Sequence, residues 1–196
     1  MISALTLDRP SFYISSKLDE NSIESRVSTC AQNSFTYSLF KGISVGVANL
    51  SALICLSNLL SYIPNIETTL ANPERALEYM ESNFTAEVIE APILEEIVFR
   101  VLIQNFFHSL ATKIVPDTDV EIFSSKLKLA TLVSILATAA LFGWAHITSG
   151  LGILHVILAT ISGITFGVLK EKYGLTASIS AHMINNALVY ALCQLA

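Results

Sequence analysis

Two adjacent carboxylates and an arginine lie inside a run that is otherwise apolar enough to span a bilayer. The run extends from about Phe84 to about Leu110, and its centre reads Glu90-Ala91-Pro92-Ile93-Leu94-Glu95-Glu96-Ile97-Val98-Phe99-Arg100. A charged residue near the centre of a membrane helix costs about 2.5–3.5 kcal/mol. Three in one span therefore constrain the fold: the helix has to turn them away from lipid, towards other helices. Glu96 and Arg100 are four apart, share a helical face and can neutralise each other, with the acid on the N-terminal side as such pairs prefer. Glu95 lies about 100° further round and has no partner in its own helix. It is the candidate functional carboxylate, aimed into a polar cavity as a general base. Pro92 is expected to kink or restart the helix just ahead of it.

The rest of the chain supplies the bundle. Of 196 residues 53% are hydrophobic and only 14% charged, against about 25% charged in ordinary soluble domains. Spans of about 20 residues are expected at Tyr37–Ile63, at the acidic stretch, and at Leu129–Ile147, Leu151–Leu169 and Leu175–Leu195. The expected fold is all-α, a polytopic membrane helix bundle of about five transmembrane helices around a buried polar site. It would occupy residues 36–196, behind a Ser-rich, polar cytoplasmic arm over residues 1–35. Gly42, Ser44, Gly46, Ala48 and Ser51 allow close helix packing in the first span. A polar loop over residues 64–83 is expected to hold a short interfacial helix from Pro73 to Met80. A second loop runs from about Lys113 to Lys128. Only Thr148-Ser149-Gly150 separates the third and fourth spans, which should be antiparallel neighbours.

Orientation follows from the basic residues. With the N-terminus inside, Arg9, Lys17, Arg26, Lys41, Lys113, Lys126, Lys128, Lys170 and Lys172 fall on the cytoplasmic side and Arg75 alone on the other. That segregation predicts a multi-pass integral protein of the plasma (inner) membrane, N-terminus cytoplasmic and C-terminus outside. No basic stretch followed by an apolar run opens the chain, so no cleavable signal peptide is expected. The sparse basic residues give no footprint for nucleic acid; the bilayer is the expected partner. Cys30, Cys55 and Cys193 are far apart and form no CxxC pair, which argues against a disulfide framework or a thiolate metal site.

Two later spans carry polar groups at helical spacing. Phe142 and His146 are four apart, with Gly143 between them leaving room for close packing. His182 and Asn186 are also four apart, and together they can donate two hydrogen bonds to one small target. His108 and His155 have no partners at such spacing and read as structural or interfacial, and Asn185 as a packing residue. Because polar side chains turn away from lipid, Glu95, His146, His182 and Asn186 are expected to converge on one cavity. The expected depths strain this picture. His146 falls on the order of 13 Å from the membrane midplane, whereas Glu95 and His182 fall within about 5 Å.

Glu95-Glu96-x-x-x-Arg100, Phe142-x-x-x-His146 and His182-x-x-x-Asn186, in this order, resemble the three motifs of the CaaX-protease and bacteriocin-processing (CPBP, or Abi) family of intramembrane endopeptidases. The likeness covers roughly residues 85–192 and extends to Ala91-Pro92 before the glutamates and to Phe99-Arg100, Phe142-Gly143, Ala181-His182 and Asn185-Asn186. Val101 departs from it, since the family often has glycine there. The resemblance implies hydrolysis of a peptide bond in a membrane-associated protein or peptide, with prenylated CaaX-type proteins as one candidate class. Glu95 and His146 would hold and activate a water, His182 and Asn186 would stabilise the oxyanion, and Glu96, Arg100 and Phe142 would support the site.

The family is often labelled metalloprotease. A catalytic zinc needs three protein ligands and a water, and Glu95, His146 and His182 would be the set here. The HExxH spacing of the common zinc peptidases is missing, so no cofactor is expected to be required. The competing reading is a non-catalytic immunity or scaffold protein of the bacteriocin self-immunity type, which would not need every motif residue intact. A proton-coupled transporter is disfavoured by the odd number of spans and the lack of an inverted repeat.

Overall fold

The first helix begins earlier than hydropathy alone predicts. In a computed structural model, which describes residues 20–60, 62, 83–122, 125–149 and 152–195, helix α1 runs Glu20–Leu60. From Glu20 to Lys41 the sequence holds neither proline nor glycine, so nothing interrupts helical winding. The end of the polar arm, from Glu20 on, is thus helical. The chain divides into two units, Met1–Ser34 and Phe35–Ala196. The interfacial helix expected at Pro73–Met80 lies outside the described residues.

The acidic stretch forms a rod of changing pitch. A π segment, Ala86–Glu90, leads into α2 (Ala91–Glu96); a second π segment, Ile97–Ile103, leads into α3 (Gln104–Ile114). The Ala91 amide donates to Ala86 O and the Gln104 amide to Phe99 O, the i→i−5 pattern of a π turn. Pro92 sits where the winding passes from π to α. Glu90 and Ala91 ahead of it keep helical φ and ψ, so the expected restart is a change of pitch and not a break in the helix.

The loop after α3 is more ordered than expected. Strands β1 (Asp119–Ile122) and β2 (Ser125–Lys128) pair antiparallel, with Asp119 opposite Lys128 and Val120 opposite Leu127. Lys128 Nζ bonds Asp117 at 2.9 Å and Asp119 at 3.0 Å. These two carboxylates, Asp117 foremost, hold the exposed ammonium above its ordinary pKa. Helix α4 (Leu129–Ala145) ends in a 3₁₀ turn, His146–Ser149, ahead of α5 (Gly152–Tyr173). Gly174 then takes φ +86° between α5 and α6 (Leu175–Leu195). Its N–H closes on Lys170 O at 3.0 Å, the left-handed C-cap that glycine adopts without strain.

Helix α4 packs on α3 and α5, and α6 packs on α5 and α2. The small residues of the first span are what bring α1 close to α6. A Cβ at Gly46 would stand 2.7 Å from Ala181 O, and one at Gly42 2.3 Å from Ala177 O. Gly143 does the same for α4 against α5, where a Cβ would stand 2.7 Å from Val156 O. Ser162 and Thr165 on α5 and Asn185 on α6 all bond the buried Asn49 of α1.

Among the described residues the fold is helical apart from the hairpin, and its interior holds polar side chains beside apolar ones. Glu96, Arg100, Gln104, Ser134, Thr138 and Ser178 have no exposed surface, while Leu59, Leu94, Leu102, Phe106 and Trp144 are exposed. Two helical stretches among the described residues, Ser34–Leu60 and Gly152–Tyr173, are long and apolar enough to cross a membrane; Leu129–Ala145 is apolar but shorter.

Candidate active site

Glu96 is the hub of the buried polar cluster. One turn along its rod, Arg100 Nε donates to Glu96 Oε2 at 2.9 Å, both side chains being fully enclosed. The i,i+4 spacing places this pair, as expected. Ser178 Oγ, on α6, lies within hydrogen-bond reach of Glu96 Oε2 and of Phe166 O. With one proton it donates to one of them at a time. The other carboxylate oxygen, Oε1, lies 3.1 Å from His182 Nδ1. A buried carboxylate needs this many donors, because an unpaired buried charge is very costly.

His182 connects the two glutamates. Its Nδ1 faces Glu96, and its Nε2 lies 3.8 Å from Glu95 Oε2. A bond at one imidazole nitrogen sets the role of the other. With Nδ1 committed to Glu96, any proton that His182 gains or gives passes through Nε2, on the Glu95 side. Glu95 differs from its neighbour in being 34% exposed at the side chain. The Phe166 ring stacks on the imidazole at 4.7 Å and fixes its plane.

His146 joins this cluster through an aromatic ring. Phe142, fully buried on α4, lies with its centroid 5.7 Å from His182 and 4.7 Å from His146. His146 Nδ1 meets Phe142 O at 2.7 Å. His155, expected to be structural or interfacial, lies 5.4 Å from His146 between ring centres. Asn186 shares the His182 face of α6, and its Nδ2 donates to Glu87 O at 3.0 Å, in the first π segment.

The contacts therefore bring Glu95, Glu96, Arg100 and His182 together directly, place His146 one ring away, and tie Asn186 to the rod that carries the glutamates. Ser178 and Asn49 were missed from the sequence. Ser178 extends the His182–Asn186 row by one more step of four, and that spacing was its only signal; a lone Asn49 in an apolar helix gave none. Among the described residues no three His, Cys, Asp or Glu side chains are grouped so that they could hold a metal ion. Glu95, His146 and His182 thus do not make a ligand cage in this arrangement.

A family model, Type II CAAX prenyl endopeptidase Rce1-like, matches residues 82–188. This is more than half of the chain, and it contains every residue of the cluster. The chain belongs to that family. The match agrees with the motif resemblance and, with the two apolar helical stretches, makes this a membrane protein of a CAAX-type protease family. No curated protein and no solved structure matches.

Proposed function

We propose that the chain is an intramembrane endopeptidase that cleaves a membrane-associated, CAAX-type prenylated protein or peptide. The observation that carries this reading is His182 set between a fully enclosed Glu96 and a partly open Glu95, inside the segment that the endopeptidase family model matches. Glu95 takes a proton from a water that it shares with His146 Nε2. The water oxygen bonds the peptide carbonyl carbon, and the carbonyl π pair moves onto its oxygen. That oxyanion accepts hydrogen bonds from His182 Nε2–H and from the second amide hydrogen of Asn186, the first being held by Glu87. Collapse restores the carbonyl, the C–N bond breaks, and the Glu95 proton passes to the leaving amine. With His182 protonated on both nitrogens, the charges of Glu95, Glu96, Arg100 and His182 sum to zero. The sum stays at zero as the oxyanion forms and Glu95 becomes neutral, so the step adds no net charge to a low-dielectric site.

The same reading places five helices across the plasma (inner) membrane, N-terminus cytoplasmic and C-terminus outside. The uneven distribution of basic residues and the exposed apolar faces of the rods support it. The test is cleavage of a prenylated peptide by purified protein in proteoliposomes. Glu95→Gln keeps shape and hydrogen bonding but removes the base, and turnover should fall about 10²–10⁴-fold, with KM little changed. A chelator should leave wild-type turnover unaltered; loss that zinc restores would put a metal at Glu95, His146 and His182. Wild-type cleavage by Glu95→Gln would remove Glu95 as the base, whereas no cleavage by the wild type, with a cellular phenotype that survives Glu95→Gln, would overturn the reading and leave the immunity or scaffold class.

A further inference from the structure

A second polar set lies one helical turn beyond the cluster, away from Glu95. Arg100, Gln104 and Thr138 have no exposed surface. Among the described residues, Arg100 Nη1 and Nη2, Gln104 Oε1 and Thr138 Oγ1 have no hydrogen-bond partner. Shared neighbours link the three side chains. The Arg100 guanidinium carbon lies 5.5 Å from the Phe142 ring centre, and Thr138 precedes Phe142 by one turn of α4. Gln104 follows Arg100 by four residues. Its Oε1 lies beside Gly167, where a Cβ would stand 3.1 Å from that oxygen and 3.0 Å from the Ile135 side chain. Ile135 and Thr138 are themselves three apart on α4. At its other end, Gln104 Nε2 donates to Glu171 Oε1 at 2.9 Å, an oxygen that also accepts from Lys170 Nζ at 2.7 Å.

The chemistry of the open groups selects their ligand. Buried polar atoms in folded proteins are almost always satisfied. A guanidinium only donates, an amide oxygen only accepts, and a hydroxyl does either. An anion would suit Arg100 but would meet the lone pairs of Gln104 Oε1 and the nearby Glu96 carboxylate. A cation would be repelled by Arg100 itself. Water accepts on one side and donates on the other, and a buried water typically bonds about three such groups. We propose that Arg100, Gln104 and Thr138 enclose an internal hydration site. Its water accepts from the Arg100 fork, donates to Gln104 Oε1 and bonds the Thr138 hydroxyl. It thereby links the Glu96–Arg100 pair to the Gln104–Glu171–Lys170 rim, and it holds the guanidinium so that Nε stays on Glu96.

The test is an experimental structure of the full chain in lipid, at a resolution that shows ordered water, for the wild type, Thr138→Val and Thr138→Ser. Density for a water within hydrogen-bond distance of an Arg100 Nη atom and of Gln104 Oε1 is expected in the wild type and in Thr138→Ser. It should be lost, or reduced to partial occupancy, in Thr138→Val, which keeps the shape but removes the hydroxyl. Should Thr138→Val fail to fold, the wild-type and Thr138→Ser densities still decide. Direct bonding of Gln104 Oε1 to Arg100 with no water between, an anion in the density, or an unchanged water in Thr138→Val would each overturn the proposal. Because the readout is density, a wild-type protein that holds the water but cleaves nothing would count against the peptidase reading alone.

Discussion

Glu95 and Glu96 share one chemistry and occupy opposite situations. Glu96 is enclosed and accepts from Arg100, Ser178 and His182, so its charge is spent on holding the cluster together. Glu95 is partly open and faces a single imidazole nitrogen. Removing one partner of a buried ion pair typically costs about 3–5 kcal/mol. Glu96→Ala should therefore lower the thermal unfolding midpoint sharply, taking activity with it. Glu95→Gln should unfold like the wild type while losing turnover. Unfolding followed by tryptophan fluorescence in detergent separates the two, and equal destabilisation would contradict the division of labour. This division was legible in the sequence, because a spacing of four pairs Glu96 with Arg100 and leaves Glu95 without a partner. The commitment of Asn186 to Glu87 O was not, since a backbone acceptor on another helix leaves no trace in residue spacing.

Among elements, the contact of α1 with α6 bears most directly on the site, because Ala181 is adjacent to His182. Any side chain at Gly46 would run into the Ala181 backbone, which cannot yield as a flexible side chain can. Overpacking typically costs about 1–3 kcal/mol, so Gly46→Val should destabilise the fold by about that much. It should also lower turnover by displacing His182. Unfolding and cleavage measured on one preparation check both effects; a variant as stable and active as wild type would show that α1 is not seated closely there. The small residues behind this contact were legible. The two π segments were not, because winding of that kind is a choice of hydrogen-bond partner made after folding and has no compositional mark. The hairpin was hidden for a different reason: strands of four residues are too short for alternation to stand out in a charged loop.

At the scale of the whole molecule, several polar side chains are enclosed while large apolar ones are exposed among the described residues, and the proposed orientation rests on the basic residues. A cysteine at position 75 (Arg75→Cys, with Cys30, Cys55 and Cys193 replaced by serine) should react with a membrane-impermeant thiol reagent added outside intact cells. Protection there, with labelling only after lysis, would reverse the topology. The helical fold was legible in the run of apolar segments, and two of them, Ser34–Leu60 and Gly152–Tyr173, are long and apolar enough to cross a membrane. The π segment Ile97–Ile103 also has a consequence for how the interior is laid out. On an ordinary α-helix, positions 96, 100 and 104 would drift by about 80° over eight residues, carrying the last of them round towards lipid. A stretch wound i→i+5 takes more residues per turn, so the step of four no longer overshoots a full turn. The slower winding works as a phase correction: it offsets the forward drift of the α segments, and Glu96, Arg100 and Gln104 all stay without exposed surface over two successive turns of a single rod.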